Sequence, residues 1–596
     1  MKRWKWLGLF AVFALVLAAC SPADTGGTTT IGEGPGTTAP PGTTAPPGGT
    51  AGEGGEMLLL QWQAPSQANA YLSTGTKDLL ASSLVLEPLA EVAPDGTLVP
   101  ALAEAIPSKA DGTIAEDDTS ITWTLKEGLL WSDGSPVTAD DAVFSWEYCS
   151  NELTGCAQDM SFVESVVAVD DLTIQVNWAT PQAYPFTMFT TYQQPIIQRA
   201  QFADCVGAAA QGCTDQNFSP AGTGPYTVTE LRPEDTVVYA FNPNYRGVAE
   251  GRPFFGTVTI KGGGDAEASA RSVLEIDEAD YGWNLQVAPE ILGPMEAAGN
   301  GVVKVGFTAN VEHLNLNQTD NRNDAAPSDY ADGTNPNPFF YLNGDLARAL
   351  SMAINRDEMT AVAYGPAGAP TCTLWPVPGD IATSLDWCLT HDADGASAML
   401  DQLGYVDTDD DGIRETPDGL PLEFEIVTST NAVRQSEQEL IARDWAAIGV
   451  GVSNRNEDAS LFFDGTCASD ACIWKFFTDI QMFTNGASLP DALGYFAGFK
   501  CSEIPTPANN WGGGNTTHYC NPEFDTTWDE LSITALDDPA RIALVQRVQE
   551  LIVEDGAIIS LVHRASVSAF GNDIQGVGDL NAWDSEYWNI EEWSRG

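Results

Sequence analysis

Positive charge and histidine are scarce in this chain. Lys and Arg total 26 against 83 Asp and Glu, a formal net charge of −57, and there are only four His. So acidic a surface repels phosphate backbones, which excludes nucleic acid as a partner. Most of the carboxylates read as a solvated surface rather than as chemistry. No apolar run of membrane-spanning length follows the N-terminus. Enzyme signatures are missing as well: there is no G-x-S-x-G, no H-E-x-x-H and no P-loop. None of His313, His391, His518 and His563 stands in a nucleophile pattern, and Gly262–Gly264 lack the spacing of a phosphate-binding loop. No C-x-x-C pair occurs and only His518 stands close to a Cys, so no zinc site is expected. The chain is not expected to be an enzyme, and no cofactor is required.

The N-terminus reads as a targeting signal. Lys2, Arg3 and Lys5 precede the short apolar run Leu7–Leu17, which ends in Leu17-Ala18-Ala19-Cys20 and resembles a bacterial lipobox. Residues 1–20 are expected to be a lipoprotein signal peptide, with lipid on Cys20 anchoring the mature chain to the cell membrane from outside the cytoplasm. Residues 21–55 are mostly Gly, Thr, Pro and Ala, with the repeat PGTTAPPGTTAPPGG. They offer almost no apolar surface to bury, so a disordered tether is expected. Removing Cys20 leaves ten cysteines in neighbouring couples. These are Cys149 with Cys156, Cys205 with Cys213, Cys372 with Cys388, Cys467 with Cys472, and Cys501 with Cys520. Short loops close most easily, so five local disulfides are expected in this exported chain, although sequence does not fix connectivity.

From residue 56 onward, strand and helix patterns are mixed. Ile121, Trp123 and Leu125 alternate with polar residues, as do Leu172, Ile174, Val176 and Trp178, then Val237, Tyr239 and Phe241, and later Leu422, Phe424 and Ile426. Ile542, Val545, Val548 and Ile552 give one helical face. Thr138 with Asp141 reads as a capping pair. The class is therefore α/β or α+β.

Several stretches are more specific. "LLASSLVLEPLAEVAPDGTLVPALAEAIP" precedes "ITWTLKEGLLWSDGSPVTADDAVFSWEYC"; "GTGPYTV" starts at Gly222, "FNPNYRG" at Phe241, "LARALSMAINRDEM" at Leu346, "LDQLGYVDTDDDGIRE" at Leu400 and "LVQRVQELIVEDGAIISLVH" at Leu544. In this order they resemble the family 5 extracellular solute-binding proteins, the oligopeptide, dipeptide and nickel binder group of ABC transporters. Much of the signature reads as frame: Trp131-Ser132-Asp133-Gly134 as a tight turn, and Asn355-Arg356-Asp357 as helix-end capping. The resemblance implies a two-lobed periplasmic-binding-protein fold with an extra domain inserted in the first lobe. Lobe I is expected at 56–90, 215–310 and 525–596, the inserted domain at 91–214 and lobe II at 311–524. It also implies a monomer that closes on a peptide or other small polar solute and passes it to the permease subunits of an ABC transporter.

Candidate site residues follow from local setting. Trp62, Trp283, Asn284, Trp375 and Trp511 stand in loop-like contexts suited to lining a cleft. Peptide binders of this family hold the ligand's amino group with an Asp, and here that position falls at Thr484-Asn485, with Asp479 and Asp491 displaced. Asn485 and Asp491 are therefore the expected polar contacts, and a neutral Asn suits an uncharged solute such as an oligosaccharide. Asp407, Asp409, Asp411, the Ile413 carbonyl, Glu415 and Asp418 match a calcium loop with Asp in place of the usual final Glu. The ion's expected role is structural. Two other readings remain open: a secreted, tethered hydrolase, and a surface sensory or adhesion protein with the same fold.

Overall fold

The computed structural model describes residues 50–596 except 74, 159, 321–334, 378, 464–466, 468, 488, 510 and 537. The expected signal peptide, Cys20 and nearly all of the tether lie outside the described residues. Among the described residues no helix is long and apolar enough to cross a membrane.

In chain order, β1 (Glu56–Leu60) is followed by a small hairpin, β2 (Ala90–Val92) and β3 (Leu98–Pro100). A three-stranded antiparallel sheet comes next, built from β4 (Ser120–Thr124), β5 (Val163–Ala168) and β6 (Thr173–Trp178), with β6 in the middle. It holds its own core, in which Ile121, Trp123, Ile174, Val176 and Trp178 are buried beside Tyr148 and Phe202. Alternation puts these side chains on one face, and each fully buried aliphatic contributes about 1.5–3 kcal/mol. The helix Ala139–Ser150 opens this region, and the Asp141 carboxylate accepts the Thr138 N–H at 3.0 Å.

The main sheet takes β7 (Tyr226–Arg232), β8 (Thr236–Phe241), β9 (Thr257–Lys261) and β10 (Tyr281–Gly282). It continues with β11 (Gly301–Leu316), β12 (Gly368–Pro370), β13 (Glu423–Ser429), β14 (Gly451–Glu457), β15 (Ile480–Asn485) and β16 (Ile558–Gly571). Its order is β14-β13-β15-β11-β16-β10-β1-β9-β8-β7. The sheet is continuous, but its two ends belong to different cores. β1 and β9 pack with Met57, Leu59, Val258 and Ile260, whereas β13 and β15 pack with Phe424, Ile426, Ile480 and Met482.

Two long antiparallel strands join the halves. Gly301–Phe307 pairs with Ala565–Gly571, and Val311–Asn315 pairs with Ile558–His563; the register shifts between Phe307 and Val311. On one side of that break, Val303, Val567 and Ala569 join a core with Ala270 and Leu274. On the other, Leu314, Leu316, Ile559 and Leu561 join the second-half core with Leu346 and Trp445. β15 pairs only with the Val311–Leu316 end of β11, and β10 only with the Ala569–Phe570 end of β16. The crossing point of β11 thus lies at 307–311. The second crossing is not at 525, where lobe I was expected to resume. The helices Pro522–Ile533 and Ala540–Glu554 still pack on Trp375, Phe496 and Tyr519, and the chain crosses inside β16 near 563–565. Apolar packing overrides the boundary suggested by sequence position.

Family motifs prove to be frame. The Trp131–Gly134 turn closes with Gly134 N–H on the Trp131 carbonyl at 2.9 Å, and Gly134 has φ +84°. Its Ser132 N–H bonds the Gly222 carbonyl at 2.8 Å, so the WSDG turn and the GTGPYTV stretch meet. A Cβ on Gly222 would sit 1.9 Å from the Val85 carbonyl oxygen, which requires glycine there. Asn355 caps the helix Arg356–Ala363, but Arg356 does not serve a helix end in solvent. It is buried and donates to the carbonyls of Ser351, Cys388 and Ser560 at 2.8–3.1 Å, pinning β16 to the second half. On the helix Ala540–Glu554, Val545, Val548 and Ile552 are buried but Ile542 is 46% exposed. Arg541 takes the inward place, donating to the Leu531 and Thr534 carbonyls.

All five cysteine couples are joined as disulfides, each within its own short loop. Cys149 is bonded to Cys156 and Cys205 to Cys213, with Cα–Cα separations of 5.4 and 5.9 Å. Both of these bridges pack against the core of the three-stranded sheet, where Cys156 and Cys213 are half-buried and Cys205 is buried. In the second half Cys372 is bonded to Cys388, Cys467 to Cys472, and Cys501 to Cys520, with Cα–Cα separations of 5.8, 5.2 and 4.6 Å. Cys372 and Cys388 share a small core with Leu385, whereas the Cys501–Cys520 bridge ties two loops together just before the helix Pro522–Ile533.

The crossing region yields two expected outcomes. Arg356→Met removes the donor shared by the Ser351, Cys388 and Ser560 carbonyls, and a loss of about 3 kcal/mol is expected in urea denaturation. The second concerns Glu586, whose carboxylate accepts Tyr281 OH at 2.9 Å and Ser568 Oγ at 2.6 Å. Burial pushes this carboxyl from 4.5 up to about 7, against the pull of those two hydrogen bonds. Between these values the folded chain holds a proton that the unfolded chain has released, so stability is full below pH 4.5 and is lost as pH rises to 7. Glu586→Gln cannot ionise. Its stability relative to the parent is expected to rise by about 2–3 kcal/mol between pH 5 and pH 7.5; a gap that stays constant in paired denaturation curves contradicts this.

Candidate functional site at the crossing strands

Beside the register break lies a cavity of about 790 Å³, part of it open to solvent. Both halves of the molecule line it. Leu285, Val287 and Val305 come from the first, and Pro366, Val433 and Arg434 from the second. The wall is largely aliphatic with a few convergent polar groups, the composition of a small-molecule site.

One hydrogen-bond chain crosses the cavity wall. Asn431 caps the helix Ala432–Ala446, its Oδ1 accepting the N–H groups of Val433 at 2.9 Å and Arg434 at 3.2 Å. Its Nδ2 donates to Gln286 Oε1 of the first half at 2.9 Å. Gln286 in turn donates to Asn284 Oδ1 at 3.1 Å, and Trp62 Nε1 donates to the Asn284 carbonyl at 3.1 Å.

The charged groups sit where β11, β15 and β16 meet. Glu312 is fully buried on β11, and both its oxygens accept from Arg434: Oε1 from Nε at 2.8 Å and Oε2 from Nη2 at 3.2 Å. Thr484, directly opposite on β15, donates its hydroxyl to Glu312 Oε2. Arg564 of β16 donates from Nη1 to Thr484 Oγ1 at 3.2 Å and lies 3.9 Å from Glu312 Oε2. Burial raises the Glu312 pKa, but the Arg434 charge and its hydrogen bonds outweigh this and hold it below the ordinary range. Glu437, one turn along the helix from Arg434, is also fully buried, and its pKa is raised well above the ordinary value by burial and then by the Glu312 charge. An arginine in the first turn of a helix opposes the helix dipole; the fork on Glu312 is what holds it there.

The residues singled out from sequence fall differently. None of Trp62, Trp283, Asn284, Trp375, Asn485, Asp491 and Trp511 forms the cavity wall. Asn284 stands one hydrogen bond behind it, on Gln286, and Trp62 one further back, on the Asn284 carbonyl. Trp283 belongs to the first-half core, and Trp375 is fully buried against Tyr495, Phe496 and Trp583, with Nε1 on Asp380 at 3.2 Å. Polar and glycine neighbours in sequence made these tryptophans look exposed, but tertiary packing decides burial. Asp491 is occupied structurally, capping the helix Ala492–Ala497 and pairing with Arg541 at 2.6 Å. Trp511 lies 5.6 Å from the Lys475 ammonium and 6.3 Å from the Phe477 ring. Asn485 ends β15 opposite Val311, next to the Thr484 that joins the charged group. The disulfides stay clear of the cavity: neither Cys156 and Cys213 nor Cys472 and Cys520, nor any of their partners, is part of its wall. Glu312, Arg434 and Arg564 were not anticipated; the unusual signal was a Glu within the otherwise uncharged strand NVEHLNLN.

In the acidic loop, Asp407, Asp409, Asp411 and Glu415 each bring a carboxylate oxygen within 4.8 Å of the others, and Asp418 is not in the group. Asp407 accepts the N–H groups of Asp410 and Gly412, and Glu415 accepts from Thr408 N–H and Oγ1. The turn is therefore braced by its own backbone.

The profile of the bacterial extracellular solute-binding proteins, family 5 (middle), matches residues 97–503, more than half of the chain. A Deinococcus radiodurans protein named probable ABC transporter-binding protein is 23% identical over 399 residues, 63% of this chain and 64% of that protein. The oligopeptide-binding protein AppA of Bacillus subtilis, solved with a nonapeptide, superposes with a TM-score of 0.70 at 20% identity, over 92% of this chain and 100% of that one. NikZ of Campylobacter jejuni, solved with Ni(L-His), gives 0.71 at 18% identity, over 90% of this chain and 99% of that one. With the profile spanning most of the folded region and the mixed α/β fold shared along nine-tenths of the chain, this protein belongs to the family 5 bacterial extracellular solute-binding proteins, which bind solutes and are not enzymes.

Proposed function

We propose that this chain is the substrate-binding component of an ABC importer, capturing a short peptide or similarly small solute between its two halves and delivering it to permease subunits. The observation that carries this reading is the cavity at the break between β11 and β16, whose wall comes from both halves. A ligand there touches both at once and favours the closed arrangement by the difference in its contacts. The peptide held by AppA and the nickel complex held by NikZ bracket the solute classes to test. Membrane attachment through Cys20 is part of the proposal and rests on the LAAC stretch after an apolar run.

A panel of short peptides, metal–amino acid complexes and oligosaccharides tests the reading by thermal shift and small-angle scattering. A bound solute at 100 times its Kd is expected to add about 2.7 kcal/mol of stability, raising the melting temperature and reducing the radius of gyration. No shift with any member of the panel contradicts it. For the anchor, Cys20→Ser is expected to move the protein from the membrane fraction to the soluble fraction of its host; unchanged fractionation removes the lipid from the account.

A further inference from the structure

The two guanidiniums of the cavity wall are partnered differently. Arg434 uses its Nε and Nη2 on the two oxygens of Glu312, a closed fork that neutralises both partners. Arg564 is placed differently. Its one hydrogen bond is from Nη1 to Thr484, and among the described residues nothing accepts from its Nε or Nη2. Those two N–H groups form the edge that grips a carboxylate in two parallel bonds. The Arg564 side chain is only 15% exposed, and the residue is part of the cavity wall. A second carboxylate would be the obvious partner, yet Glu437 does not serve: it is fully buried and makes no hydrogen bond to Arg564. Glu296, the remaining acid of the wall, is exposed and accepts the Val303 N–H at 2.9 Å.

Around this open guanidinium edge the wall is aliphatic: Leu285, Val287, Val305, Val433 and Val567. A cation inside an apolar enclosure is costly unless paired, so the best guest brings both a carboxylate and an apolar body. We propose that Arg564 receives the carboxylate of the transported solute, and that the solute is a small aliphatic carboxylate, such as the C-terminal end of a short apolar peptide. This departs from the uncharged solute expected at Asn485, and it rests on the reading of the chain as a solute-binding protein.

The test is calorimetric titration of the full-length protein with three probes: Val-Leu-Val with a free C-terminus, the same peptide as its C-terminal amide, and isovalerate. The free peptide is expected to bind at least about tenfold more tightly than the amide, the weight of one charge-assisted fork. Arg564→Gln is expected to weaken the acid by a similar factor and leave the amide unchanged. Arg564→Lys, which keeps the charge and loses the fork, is expected to fall between; should the Gln variant not fold, the Lys variant decides. Binding of isovalerate without the peptide identifies a free carboxylic acid as the source of the same chemistry. Amide binding equal to acid, discrimination that survives in both variants, or no binding of any probe overturns the assignment to Arg564. In that last case a melting shift with other members of the solute panel leaves the transport reading standing, and its absence removes both.

Discussion

The antiparallel pairing of β11 with β16 ties the two halves of the molecule together. Each strand enters the core of both halves, with Val303 and Val567 on one side and Leu314 and Leu561 on the other. Continuous backbone hydrogen bonding would make this ribbon stiff. Register shifts between Phe307 and Val311 and between Glu312 and His313 interrupt it, and fewer ladder bonds resist bending there. The two cores meet across this stretch.

Burying charge beside that break is expensive, because the desolvation of each ion amounts to several kcal/mol. The structure offsets the cost at Glu312 with a fork from Arg434 and the Thr484 hydroxyl. At Glu437 it leaves the carboxyl in the environment that favours its neutral form. Arg356 shows a third solution, a guanidinium satisfied without any carboxylate, by three carbonyls and the Ser351 hydroxyl. These groups fasten strands and helices from different parts of the chain, since Glu312, Arg434, Thr484 and Arg564 come from four separate elements.

Much of the frame was legible in the sequence. The alternation around Trp123, Ile174, Phe424 and Tyr239 marks strands because burial on one face of a pleated strand has period two. The cysteine couples are legible because short loops favour closure, and each, from Cys149 with Cys156 to Cys501 with Cys520, is paired with its neighbour in sequence. The site was less so. Trp375 and Asp491 sit in loop-like sequence, but their neighbours in space are Phe496 and Arg541, which no local pattern brings together. Arg564 reads as an ordinary strand residue until β15 places Thr484 beside it. The second crossing was misplaced for the same reason: the helices from 522 to 554 are amphipathic wherever they lie, and only their contact with Trp375 and Tyr519 assigns them.

The order of synthesis gives this arrangement a further consequence. β16 occupies residues 558–571, near the C-terminus, yet it lies between β11 and β10 in the middle of the sheet. Until the ribosome has made it, β11 lacks its longest partner and β10 stands beside β1 with its other edge open. Neither half can complete its core from its own residues, and the guanidinium that faces the cavity arrives with the same strand. The native sheet therefore closes only once this late strand is present.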